Sequence, residues 1–161
     1  MRIGFGYDSH RFQEGRRLVL GGVELPGEKG LAGHSDADVL VHAIIDALLG
    51  AAALGDIGSH FPDTDEKWKD ADSIALLEAV AREVRSAGWS VANVDATVIC
   101  ERPRIGPFSD FMRERISSAM GVGKGRISIK GKTNEKMDDV GAGIGIEVHA
   151  VALLEELASG L

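Results

Sequence analysis

Cysteine is nearly absent from this chain. Among 161 residues only Cys100 carries a thiol, which excludes an internal disulfide framework and fits a reducing compartment. Long apolar runs are missing as well: no stretch reaches the roughly 18 consecutive apolar residues of a membrane span. The most hydrophobic segment, 36–53, is broken by His42 and Asp46. The opening residues MRIGFGYDSH lack the apolar run of a secretory leader. A cytoplasmic protein without a membrane partner is therefore expected. Positive charge is in short supply, with 18 Lys and Arg against 25 Asp and Glu and a net charge of −7. That balance argues against a nucleic-acid partner. No repeat or linker interrupts the chain, so one domain over 1–161 is expected.

What is present is an ordinary globular composition, 44% hydrophobic and 27% charged, long enough to bury a real core. The scarce cations cluster locally: Arg102 and Arg104, then Lys124, Arg126, Lys130, Lys132 and Lys136. Cationic loops on an acidic protein suit a small anionic ligand better than a polyanion.

Patterning interleaves strands and helices. Residues 2–9 read as a strand and 17–25 as a hairpin around Gly21 and Gly22, followed by a glycine-rich loop over 26–35. Residues 36–53 form an almost wholly apolar helix whose polar stripe is Asp38, His42 and Asp46, at i, i+4, i+8. A long Asp-rich loop spans 54–72, and loops of that length are often functional. Helices are expected over 73–88 and over 107–121, the latter with Pro107 at its first position. Strands are expected over 91–101, with Ala92, Val94, Ala96, Val98 and Cys100 on one face, over 126–133, and over 144–154. The expected fold is an α+β two-layer sandwich: a mixed sheet with helices on one face and its mixed outer face turned toward other copies of the chain.

Near the start, GFGYDSHRF places Asp8 and His10 two residues apart on one face of a strand. An imidazole beside a carboxylate is either a surface pair or part of a metal site. His42, from the buried helix, would complete two imidazoles and a carboxylate, an open zinc shell. Asp46, one turn on, could orient that ring. Spacing alone does not bring residue 42 to residue 10.

Four further motifs accompany these residues: HSDADVLVH at 34–42, LGDIGSHFPDTD at 54–65, ERPRIGPF at 101–108 and KGKTNEK at 130–136. Their order and spacing resemble the 2-C-methyl-D-erythritol 2,4-cyclodiphosphate synthase family of the non-mevalonate isoprenoid route, from Met1 to about Leu157. The resemblance implies a homotrimer with its sheets around a central axis and active sites between subunits. It implies a reaction in which the 2-phosphate of a CDP-linked methylerythritol attacks the β-phosphorus, releasing CMP. A metal-dependent phosphohydrolase on the same scaffold, or a non-catalytic trimer binding metal or isoprenoid, are the alternatives.

Matched positions carry implied roles. Asp8, His10 and His42 would hold a zinc-type cation, with His34 the alternative ligand. Glu135 would hold a second divalent ion, Mg²⁺ or Mn²⁺, on the diphosphate. His34 and Thr133 would steady the transition state. Ser35, Asp56, Ile57, Gly58, Phe61, Pro62, Asp63, Thr64 and Asp65 would bind the methylerythritol part. Cys100, Pro103, Arg104, Ile105 and Gly106 would form the cytidine pocket, with Cys100 no nucleophile, and Lys132 and Asn134 would lie near the phosphates. His60 has no role and is expected to be exposed. Glu147 and His149 would be structural, facing the trimer axis. Many family members carry an aromatic residue and an arginine where this chain has Asp139 and Ala142, so an axial isoprenoid-diphosphate site is expected to be lost or altered.

Overall fold

The first strand explains the layer that packs on it. In β1 (Arg2–Gln13) glycine and bulky residues alternate, so one face carries Gly4 and Gly6 while Ile3 and Phe5 stand on the other, exposed. A Cβ added at Gly4 would lie 2.0 Å from the Ala47 carbonyl oxygen, and one at Gly6 would lie 1.9 Å from that of Ala43. Only glycine lets helix α1 (Val39–Ala52) approach so closely. The helix answers with its own small residues, Ala43, Ala47 and Ala51.

A computed structural model describes residues 1–157; the last four residues of the expected domain, 158–161, lie outside the described residues. After β1 come a two-stranded hairpin, β2 (Val19–Leu20) and β3 (Val23–Glu24), and the short β4 (Gly30–Leu31). The expected loop at 54–72 contains helix α2 (Ile57–His60) and a 3₁₀ turn, Glu66–Trp68. Then follow α3 (Ser73–Ser86), β5 (Trp89–Ile99), α4 (Ser109–Met120), β6 (Ile127–Lys132), α5 (Asp138–Gly141) and β7 (Gly145–Glu156). Five strands form one mixed sheet in the order β4-β1-β7-β5-β6. Only β5 and β6 run parallel, and α4 makes the crossover such a pair requires.

Helix α1 lies on β1 and β7, with α3 beside it over β5 and α4 beside α3 over β6. The core sits between these layers, with Leu40, Ile44, Leu48, Leu77, Val98 and Val148 sealed from solvent. The opposite face of the sheet leaves Ile3, Phe5, Tyr7 and Val151 exposed. Among the described residues, no helix is long and apolar enough to cross a membrane.

Three expected details change. The alternation through β5 slips at a bulge between Val91 and Asn93, so Val91 is buried and Ala92 is not; the extra residue shifts the pleat by one. Pro107 opens a separate 3₁₀ turn, Gly106–Phe108, and α4 begins at Ser109. Asp38 is not part of a polar stripe on α1 but its cap, taking the Val41 amide. It also accepts from the amides of Gly21 at 2.9 Å and Gly22 at 2.7 Å, which joins the β2–β3 turn to the helix start. Its burial raises the carboxyl pKa to about 6, against the pull of those amides.

Candidate active site

The glycine face of β1 continues past Gly6 into Asp8 and His10. The same close approach that seats Ala43 on Gly6 brings its neighbour His42 over these two side chains. His10 Nε2 lies 2.9 Å and His42 Nδ1 3.2 Å from Asp8 Oδ2. One ligand atom from each residue lies within 4.8 Å of the others, and among the described residues this is the one such cluster of three. Ligand atoms around a tetrahedral zinc stand roughly 3.3–3.5 Å apart, so small movements would admit the ion.

The chemistry of the donors fits a cation as well. His10 Nδ1 donates to the Ala32 carbonyl at 2.5 Å, which leaves the Nε2 lone pair of the neutral ring aimed at the Asp8 carboxylate. Two electron-rich atoms face each other there and call for positive charge between them. Burial pushes the Asp8 carboxyl upward, yet without a cation the protonated rings of His10 and His42 can donate to it, and these hydrogen bonds outweigh burial and hold the pKa at about 2. Burial lowers the His10 pKa, and the Asp8 hydrogen bond and charge reverse this to a net rise.

A cleft of about 410 Å³ opens from this cluster, walled by His34, Ser35, Ile57, Gly58, Phe61, Pro62 and Asp63. These are seven of the residues the sequence motifs single out. His34 stays out of the three-residue cluster, and its Nε2 is buried without a partner. Trp68 also lines this cleft and has a buried, unpartnered indole nitrogen. Asp56, Thr64 and Asp65 do not line it: the Asp56 carboxylate caps α2 through the Ser59 amide, and Asp65 caps the following turn through the Lys67 amide.

A second cleft, of about 390 Å³, gathers Cys100, Pro103, Arg104, Ile105, Gly106, Lys132 and Thr133. The Cys100 Sγ donates to the Pro103 carbonyl, and burial pushes its thiol pKa up to about 12, so it is no nucleophile. Thr133 donates to Glu135 Oε1 at 3.2 Å. Glu101 accepts from the amides of Asn134 and Lys136 and so holds that turn. Glu135 itself has φ of 51°, which projects it from a tight left-handed turn.

The two clefts share no residue. They sit at one level of the sheet, because Asp8, Val148, Val98 and Gly131 pair in a continuous row. They stand at different ends of that row, with β7 and β5 between β1 and β6, a separation of roughly 14 Å across three strand spacings.

Several expected contacts differ. Asp46 does not orient His42; its carboxylate accepts from the Ile57 amide at 2.7 Å and anchors α2. His60 is not exposed, since Nε2 donates to the Leu54 carbonyl and Nδ1 lies 3.1 Å from Glu83. Glu147 and His149 stand on the outer face, where Glu147 accepts from Tyr7 at 2.6 Å and His149 packs beside Phe5 and Tyr7. Sequence reasoning missed Ser73, whose Oγ lies 2.9 Å from His42 Nε2, as well as Glu101 and Trp68. Ser73 looks like any helix-opening serine, and the residues that give it a partner lie far away along the chain.

A model of the YgbB family matches residues 1–155. The chain is 56% identical over 160 residues to the 2-C-methyl-D-erythritol 2,4-cyclodiphosphate synthase of Moorella thermoacetica, covering 99% of this chain and 98% of that one. It superposes with a TM-score of 0.94 on the bifunctional IspDF of Campylobacter jejuni, at 39% identity, covering 97% of this chain and 42% of the longer one. A 2C-methyl-D-erythritol-2,4-cyclodiphosphate synthase bound to CDP superposes with a TM-score of 0.87 at 38% identity, over 96% of this chain and all of that one.

Proposed function

The chain belongs to the YgbB family, and from that premise we propose that it is a cyclodiphosphate synthase, converting CDP-methylerythritol 2-phosphate to methylerythritol 2,4-cyclodiphosphate and CMP. The observation that carries this reading is the convergence of Asp8, His10 and His42 at the mouth of a cleft built from the HSD, GDIG and FPDTD segments. An oxygen of the 2-phosphate bonds to the β-phosphorus, and the bond from that phosphorus to the bridging oxygen breaks, so CMP leaves with the bridging oxygen. Phosphoryl transfer asks the protein mainly to position reactants and stabilise charge.

Asp8, His10 and His42 would hold a zinc-type cation, and Glu135 would hold a second, Mg²⁺ or Mn²⁺. Cations held there would supply Lewis-acid stabilisation of the charge on the phosphate oxygens. His34 and Thr133 donate hydrogen bonds to the phosphates as charge shifts, and Lys132 and Asn134 face the same oxygens. The cleft of Ser35, Ile57, Gly58, Phe61, Pro62 and Asp63 takes the methylerythritol part, with Asp56, Thr64 and Asp65 shaping its loop. Main-chain groups from Cys100 to Gly106 read cytosine. Since the metal cluster and the cytidine cleft stand at different ends of the sheet row, a complete site joins one cleft from each of two chains. That supports an assembly of like chains, which the family resemblance makes a homotrimer with its sheets around a central axis; the proposed setting is the cytoplasm.

Phosphorus NMR of purified protein supplied with the CDP-linked substrate, Zn²⁺ and Mg²⁺ tests this. The expected products are a cyclic diphosphate and CMP. Linear phosphate products would instead identify a phosphohydrolase and overturn the reading.

A further inference from the structure

His10 and His42 present different nitrogens to Asp8, and different partners enforce the choice. For His10 the partner is a main-chain carbonyl, that of Ala32. For His42 it is a hydroxyl, which alone does not decide direction because a hydroxyl both donates and accepts. Its environment decides. Ser73 is sealed from solvent and opens α3. Its Oγ donates to Asp36 Oδ1 and its amide donates to Asp36 Oδ2 at 2.9 Å. The Asp38 amide also points at Asp36 Oδ1, at 3.1 Å. Among the described residues, every hydrogen bond to this carboxylate comes from a donor, as an acceptor-only group requires.

The single hydroxyl proton of Ser73 is thus committed to Asp36, and toward His42 Nε2, 2.9 Å away, Ser73 can only accept. Nε2 must carry the ring proton, and Nδ1 is left with its lone pair facing Asp8 Oδ2. Ser35 Oγ, 3.2 Å from His42 Nε2, takes the Ala37 amide and suits either tautomer. It does not make the selection.

We propose that Ser73, held by Asp36, is a positioning residue that sets the tautomer of His42 and so presents Nδ1 to the cation. The inference rests on the metal-binding reading above. It makes the start of α3, more than thirty residues away along the chain, part of the apparatus that prepares the cation site.

The test uses nitrogen NMR of the imidazoles in metal-free full-length protein, above the imidazole titration, together with Zn²⁺ affinity by chelator competition. Wild type should show His42 as the Nε2–H tautomer. Ser73→Ala should shift it toward Nδ1–H while His10 keeps its proton on Nδ1, and Zn²⁺ affinity should fall about ten- to a hundredfold. Asp36→Asn should act in the same direction with a smaller effect, and serves if Ser73→Ala does not fold. A wild-type Nδ1–H tautomer overturns the proposal, as does an unchanged tautomer and unchanged Zn²⁺ affinity in both variants. If wild type binds no Zn²⁺, the metal reading fails, while the tautomer comparison still judges the role of Ser73.

Discussion

The two clefts are built by opposite means. The candidate metal cluster is made by regular structure: a strand supplies Asp8 and His10, a helix supplies His42, and glycines fix the distance between them. The Cys100–Gly106 cleft is made at the end of β6 mostly by chain that has left the sheet, with Glu101 holding the Thr133–Lys136 turn through amide hydrogen bonds. The first depends on close packing of elements and the second on local hydrogen bonds. A packing defect should therefore damage the first along with the fold, whereas the second should loosen without unfolding the molecule.

The largest expected effect is His42→Ala. Loss of one of three ligands should lower turnover by more than about a hundredfold and abolish tight Zn²⁺ binding, while circular dichroism stays that of a folded chain. Near-normal turnover in zinc-free variant protein would refute the ligand assignment.

Next in size is a contrast within the strand–helix pair. Gly6→Ala forces a methyl into the Ala43 carbonyl and should destabilise by about 1–3 kcal/mol or more, with weakened Zn²⁺ binding. Gly50→Ala, on the exposed side of the same helix with nothing near its would-be Cβ, should stabilise by about 0.5–1 kcal/mol. Urea midpoints of the two variants should move in opposite directions.

The pH response separates capping from ligation. Asp38, raised to about 6, contributes stability that is full below its unfolded pKa near 4 and is lost as pH rises through 6, about 3 kcal/mol at most. His10, also raised, loses its contribution in the same direction at higher pH. Asp8, lowered to about 2, contributes stability present above about 4 that is lost as pH falls through 2. The urea midpoint of metal-free protein should fall between about pH 4 and 6, and Asp38→Asn should flatten that fall. A slope unchanged in the variant would remove Asp38 as its source.

The smallest effect should come from the loop-built cleft. Glu135→Gln should raise the Mg²⁺ concentration needed for half-maximal activity several-fold and leave bound zinc unchanged. Equal loss of both metals would contradict separate sites.

Much of this molecule was legible from local pattern. Period-two alternation placed β1, β6 and β7, and the apolar run placed α1, since side chains that repeat with the geometry of an element show which face it buries. The pairing of Asp8 with His10 follows from strand geometry alone. The polar residues of α1 were misleading because their partners are backbone amides from other segments: Gly21 and Gly22 for Asp38, Ile57 for Asp46. Such donors are the same at every residue and leave no mark in the sequence. Glu101 was silent for the same reason, and Ser73 because its side-chain partners, Asp36 and His42, lie more than thirty residues away.

The chain by itself determined which elements form and which side chains could hold a cation, because propensity and periodicity are local properties. Only the tertiary structure decided that His42 reaches Asp8, that Ser73 meets its Nε2, and that the Cys100–Gly106 cleft stands several strands away. Those outcomes depend on how closely two backbones approach and on which strand pairs with which, and neither quantity is a function of neighbouring residues alone.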